Sequence, residues 1–244
     1  MSKITTLLAG AAALAIAAAS PADARLQLSI SDGGTTFSCF DGQLSCDQSG
    51  GANNLLLVNA TVGGAFVQIA LAQSFFGNIN ELQLSASNII NQSLAPITVT
   101  LLASDTDFKG PVSFINNSAS LTFNQNVGAP DSTLKFWADA GNAQGANPNQ
   151  TPGTLLESVS GHATTDPDSF SGSLIAPFAT DGFYSMTEGA QLALRSGGSI
   201  TGFNQSMEAS AVPEPSTWAL LGLGFGALAF AGFKRSRRER LSTI

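Results

Sequence analysis

Histidine is almost absent from this 244-residue chain: His162 is the only one. Cysteine is nearly as scarce, with Cys39 and Cys46 alone. One histidine and two cysteines offer no zinc-type ligand spacing. A serine–histidine–acid triad would have to use His162, in the turn-like Gly161-His162-Ala163, and no G-x-S-x-G elbow accompanies it. A solvated loop histidine is the simpler reading. There is no glycine-rich phosphate loop, no repeat of fixed period and no basic stripe. Between Arg25 and Ser216 the basic residues are only Arg25, Lys109, Lys135 and Arg195, against fifteen acidic ones, a net charge of −11. Such a surface repels phosphate backbones and argues against a nucleic-acid partner.

Helix-forming runs of Glu, Lys and Leu are also missing from that region. Gly, Ser, Thr, Asn and Ala dominate it, which favours strands joined by turns. Apolar residues recur with period two. Leu26, Leu28 and Ile30 alternate with polar neighbours, as do Leu82, Leu84 and Ala86, then Ile97, Val99 and Leu101, then Leu121 and Phe123, then Leu134, Phe136 and Ala138. Residues 183–188, 191–195 and 200–209 read as three more strands. Turn clusters such as Asp32-Gly33-Gly34, Gly63-Gly64 and Ser196-Gly197-Gly198 separate these runs. Eight or more short strands predict an antiparallel β-sandwich. The Asn-, Gln- and Pro-rich stretch from Asn142 to Pro152 reads as a long surface loop.

The two ends are different. Lys3, an apolar run from Ile4 to Ala19, a break at Ser20-Pro21 and Ala22-Asp23-Ala24 form a secretory signal peptide. Cleavage by signal peptidase is expected between Ala24 and Arg25. Outside the cytoplasm, Cys39 and Cys46, seven apart, read as one disulfide. At the other end Val212-Pro213-Glu214-Pro215-Ser216-Thr217 precedes 16 uncharged residues, Trp218 to Phe233, and then Lys234, Arg235, Arg237, Arg238 and Arg240. The uncharged run is at the short end for a transmembrane helix, and the basic cluster anchors its end in the cytoplasm. The chain therefore divides into a signal peptide (1–24), an exported domain (25–211) and a tail (212–244). The expected architecture is mainly β, a sandwich flanked by an N-terminal signal helix and a C-terminal transmembrane helix.

The order of these tail elements resembles the PEP-CTERM sorting signal. That resemblance implies a Gram-negative, exopolysaccharide-making host. It implies a precursor inserted transiently through Trp218–Phe233, and a cut by exosortase, a membrane-embedded cysteine protease. The recognised motif would be Pro213, Glu214 and Pro215, and the product would join the cell surface or biofilm matrix. Two prolines keep the segment extended and without helix hydrogen bonds, which suits a protease that needs an unpaired strand. Phe37-x-Cys39-x-Asp41-Gly42 with Cys46-Asp47, and the closing runs 183–188, 192–194 and 200–209, resemble one group of exported domains with this tail. That group has no enzymatic activity to carry over. The resemblance therefore implies a structural or adhesive protein rather than an enzyme.

The alternative is a calcium- or carbohydrate-binding module, and a secreted hydrolase is a more distant one. Asp105-x-Asp107 and Asp166-x-Asp168 are carboxylate pairs whose side chains would share a face on a strand. Each could belong to a solvated turn, hold calcium with carbonyl and amide oxygens, or act as an acid–base pair. Phe75, Phe76, Trp137 and Tyr184 could stack on sugar rings or fill the core.

Overall fold

In the computed structural model, the described residues are 26–77, 79–144, 146, 153–210, 220–226 and 228. The signal peptide with its cleavage residues Ala22, Ala24 and Arg25, the motif Pro213, Glu214 and Pro215, and the anchor Lys234, Arg235, Arg237, Arg238 and Arg240 lie outside them.

Twelve strands form the described domain: β1 (Gln27–Asp32), β2 (Thr35–Phe40), β3 (Leu55–Val62), β4 (Ala65–Phe75), β5 (Asn80–Asn91), β6 (Ile97–Lys109), β7 (Val112–Asn124), β8 (Ser132–Asp139), β9 (Thr154–Gly161), β10 (Asp168–Thr180), β11 (Phe183–Leu194) and β12 (Ser199–Ser210). They make two six-stranded antiparallel sheets, ordered β2-β1-β6-β11-β8-β9 and β10-β7-β12-β5-β4-β3. The alternation seen in the sequence becomes the inner face. Leu28, Ile30, Val99, Leu101 and Phe136 of the first sheet are buried against the core, as are Leu56, Leu82, Leu84, Phe203 and Met207 of the second. Burial of these side chains drives the two layers together.

The structure differs from the sequence reading at several places. The segments 183–188 and 191–195 are one strand, because Gly189 continues the ladder instead of turning it. Among the described residues a single short helix occurs, over 220–226 and 228, inside the predicted membrane run. No helix among the described residues is long and apolar enough to cross a membrane, and the rest of Trp218–Phe233 lies largely outside them. The predicted surface loop starts by folding back. Ser185 Oγ donates to the carbonyl of Ala143 at 2.7 Å, and Ala146 is buried. The strands on either side of this loop, β8 and β9, pair with each other.

One glycine ties the sheets at a turn. Gly63 has φ 57°, and a Cβ there would meet Asp32 Oδ2 at 2.6 Å. The same carboxylate accepts from the Gly64 N–H at 2.7 Å, so the β1–β2 turn is locked to the β3–β4 turn.

Candidate functional site

The carboxylate pair in β6 does not share a face. Residues 106 and 107 form a bulge, since the pairing with β11 shifts between Tyr184 and Met186 and Asp107 has φ 64°. Asp105 turns inward and is only 1% exposed. Its Oδ2 accepts from Ser74 Oγ in β4 of the opposite sheet, and its Oδ1 accepts from the Thr106 N–H at 2.8 Å. Burial, only partly offset by these two donors, pushes its carboxyl up to about 6. Asp107 is exposed and grips Asn142 from both sides. Its N–H donates to Asn142 Oδ1 at 2.8 Å, and Asn142 Nδ2 donates to its Oδ1 at 2.5 Å. Asp105 is thus a core group, correcting the expectation of an acidic turn or a pair on one strand face. Among the described residues no group of three or more His, Cys, Asp or Glu could hold a metal ion.

The second pair closes a turn. Asp166 Oδ1 accepts from the Gln125 N–H at 2.7 Å, and Asp168 Oδ2 accepts from the N–H and hydroxyl of Thr164 at 2.7 and 2.8 Å. The Thr164 donors hold Asp168 below the usual carboxylate range. His162 Nδ1 lies 2.6 Å from Asp131 Oδ1 on the surface, without a serine partner among the described residues.

The aromatics divide. Tyr184 is wholly buried; it accepts from Asn80 Nδ2 at 2.9 Å, and burial pushes its hydroxyl up to about 12. It belongs to the core and cannot stack on a sugar. Trp137 lies half-buried on the outer face of the first sheet, its ring over Gly189: a Cβ there would meet Trp137 Cζ3 at 2.8 Å and Leu102 Cδ2 at 2.7 Å. Phe75 and Phe76 are exposed at one end of the sandwich.

Sequence reading counted Glu188 among the surface acids, yet it is wholly buried at the centre of β11. Neither of its carboxylate oxygens has a hydrogen-bond partner among the described residues. Burial, with the charge of Glu81 adding to it, raises its carboxyl well above the usual range. A signal existed in the sequence, because Glu188 keeps step with Met186 and Ala190 in the inward phase of that strand. The outer face of the second sheet carries a shallow groove, also unanticipated, lined by Ser118, Ser120, Ser171, Ser173 and Asn204. Register explains it: Ser171 and Ser173 of β10 sit opposite Ser120 and Ser118 of β7, and Asn204 of β12 sits opposite Ser120.

Cys39 and Cys46 form the expected disulfide, with Cα atoms 5.9 Å apart. Asp47 braces the loop they close, accepting from the N–H groups of Gly42, Ser49 and Leu57 at 3.0, 2.8 and 3.3 Å.

Residues 211–238 match the PEP-CTERM protein-sorting motif. The chain carries this sorting signal. No curated protein matches the chain. Solved structures similar to this chain include TmCBM61 in complex with beta-1,4-galactotriose, at 13% identity over 62% of this chain and 81% of that one, TM-score 0.29. Carbohydrate-binding modules of the β-sandwich superfamily match at 12% identity over 73% of this chain and 68% of that one, TM-score 0.30. The family 11 carbohydrate-binding module from Clostridium thermocellum, in complex with a beta-1,3-1,4-mixed-linked tetrasaccharide, matches at 15% identity over 69% and 95%, TM-score 0.28. TM-scores this low carry no argument about what the present chain binds.

Proposed function

We propose that this chain is the precursor of a non-enzymatic surface or matrix protein, exported through the inner membrane of a Gram-negative bacterium. Signal peptidase frees its N-terminus at Arg25. Exosortase recognises Pro213, Glu214 and Pro215 and releases the sandwich from the tether Trp218–Phe233. The product then serves a structural or adhesive role among exopolysaccharide chains. The observation that carries this reading is the sorting signal at 211–238, placed directly after the last strand of a disulfide-bearing sandwich.

The test is intact mass and peptide mapping of both ends, on protein recovered from the surface and medium of the native host. The expected form begins at Arg25, ends between Pro213 and Ser216, and is lighter by the hydrogens lost in the Cys39–Cys46 bond. Recovery of a form that still carries Trp218 to Ile244 would make the tail a permanent anchor and remove exosortase from the account.

The groove of Ser118, Ser120, Ser171, Ser173 and Asn204 favours a second reading, a carbohydrate-binding module. Hydroxyls and an amide in one shallow groove match the hydrogen-bonding groups of a polysaccharide. Affinity electrophoresis in gels containing the host's exopolysaccharide tests it. Retardation that Asn204→Ala and Ser120→Ala weaken supports a defined sugar site, and retardation unchanged by either excludes this groove.

A further inference from the structure

The chain leaves the sandwich at one pole. There β12 ends at Ser210, opposite Phe114 of β7, and Ala209 lies opposite Asn80 at the start of β5. Exposed hydrophobic side chains from three segments lie at that same pole: Phe75 at the end of β4 and Phe76 just after it, Ile79 before β5, and Phe183 at the start of β11. Their exposures are 40%, 43%, 53% and 56%. Single exposed hydrophobics are ordinary on a protein surface, whereas four at the pole where the chain exits call for a partner.

Phe76 is held in place. The Phe76 ring stacks on buried Phe108 with centroids 4.8 Å apart and planes 20° apart. Phe108 in turn meets Tyr184 at 5.7 Å, and Phe178 meets Tyr184 at 5.5 Å. A column of rings therefore runs from the core to the surface and fixes the outermost one. Phe183 pairs across the ladder with Lys109, the last residue of β6.

Distance selects the occupant. Only seven residues, 211–217, separate Ser210 from the uncharged run that opens at Trp218. Fully extended they reach at most about 25 Å. A 13-residue strand such as β6 is longer, roughly 40 Å. The tether is therefore shorter than the sandwich, and the pole it leaves from is the part of the domain held closest to the membrane. Lys109 stands alone there against Asp107, Asp181, Glu81 and Glu208, so apolar contact, working against repulsion from anionic lipid, would have to hold the pole.

We infer that, in the tethered precursor, the pole formed by Phe75, Phe76, Ile79 and Phe183 docks on the lipid surface. The inference rests on the reading of the tail as a membrane tether. Docking fixes the orientation of the sandwich, and with it the height at which Pro213, Glu214 and Pro215 meet a protease in the bilayer. Once the tail is cut the apolar pole alone is a weak anchor, and the domain leaves the membrane.

The test uses the full-length precursor, reconstituted in vesicles of phosphatidylethanolamine and phosphatidylglycerol, with a photoreactive benzoylphenylalanine in place of Phe76, of Phe183 or, at the opposite pole, of Leu94. Mass spectrometry after illumination is expected to find lipid adducts at the first two positions and none at the third, in high salt as in low. Vesicle flotation of the same samples separates the two ways of failing. A precursor that does not float with vesicles sinks the tether reading and the docking together. A precursor that floats but gives no adduct, or crosslinks at Phe76 and Phe183 to its own tail or to a second copy, keeps the tether and overturns the lipid docking.

Discussion

Ser74 in β4 donates its hydroxyl proton to Asp105 in β6, a hydrogen bond that crosses the core from one sheet to the other. Asp105 is held up to about 6 by burial, against 3.8 for the free side chain. The folded state thus keeps its proton over a range where the unfolded chain has lost it. Its contribution is fully present below pH 3.8 and is lost as pH rises to about 6, a loss of about 3 kcal/mol. Asp105→Asn is expected to abolish that fall. The amide can donate to Ser74 Oγ while its oxygen still accepts from Thr106. Denaturant melts across this pH range check it; an unchanged slope in Asp105→Asn would assign the titration to another group. Ser74→Ala should cost about 1–3 kcal/mol, more at neutral pH than in acid, since it removes a donor from an ionised carboxylate.

Glu188 is a second buried carboxyl, with no hydrogen-bond partner among the described residues. Its raised carboxyl contributes stability that is complete in acid and lost as pH rises above the ordinary carboxylate range towards its folded value. Glu188→Gln removes the ionisation and keeps the shape. The expected outcome is a higher melting temperature than wild type at neutral pH, with a gap that widens in alkali. A variant that melts lower at every pH would show that the carboxyl makes a bond worth more than its burial costs.

The reach of the sequence can be judged from β6 and β11. Their inward residues Val99, Leu101, Leu192 and Leu194 were legible, because one face of each strand is dry and the side-chain period is two. Asp105 and Glu188 broke that legibility, as buried acids are what a hydrophobic pattern cannot contain. Strand β4 was missed for a different reason. Ile69 has φ 49°, and its N–H donates to Asn59 Oδ1 at 2.7 Å, so the alternation slips by one residue mid-strand. Strand β10 is an edge, exposed on much of both faces, and carries Pro177. The groove serines were invisible because each strand contributes only one or two polar residues in ordinary positions, and register alone brings them together. The tail motif was fully legible, being a linear address that no fold rearranges.

The Cys39–Cys46 bond closes a short loop, so Cys39→Ser with Cys46→Ser is expected to cost about 2–3 kcal/mol. The loop should keep its shape, since Asp47 still collects donors from Gly42, Ser49 and Leu57. Burial opposes ionisation of Asp47, but these donors outweigh it and hold the carboxyl below the usual range. That contribution is present above the ordinary carboxylate range and lost as pH falls. Thermal melts with and without reductant check both statements. The disulfide-free variant should be more acid-sensitive at the loop, seen as lower protection factors, corrected for the intrinsic exchange rate, at the Ser49 and Leu57 amides in acid. Protection factors at these two amides that are equal at acid and neutral pH would remove Asp47 from the account.

Calcium takes roughly six to eight oxygen ligands, often from carboxylates a residue apart on one loop. Asp105 and Asp107 have that spacing but not that geometry. The oxygens of Asp105 face the core and are taken by Ser74 and Thr106, while an Asp107 oxygen on the surface is taken by Asn142. An ion joining them would have to break the cross-sheet bond and straighten the bulge. Millimolar calcium is therefore expected to leave the melting temperature where chelator leaves it. A ligand bound only by the folded state at a hundred times its Kd adds about 2.7 kcal/mol. A rise of that size, abolished by Asp107→Asn, would mean that the bulge rearranges around a cation and that the calcium-binding alternative is correct.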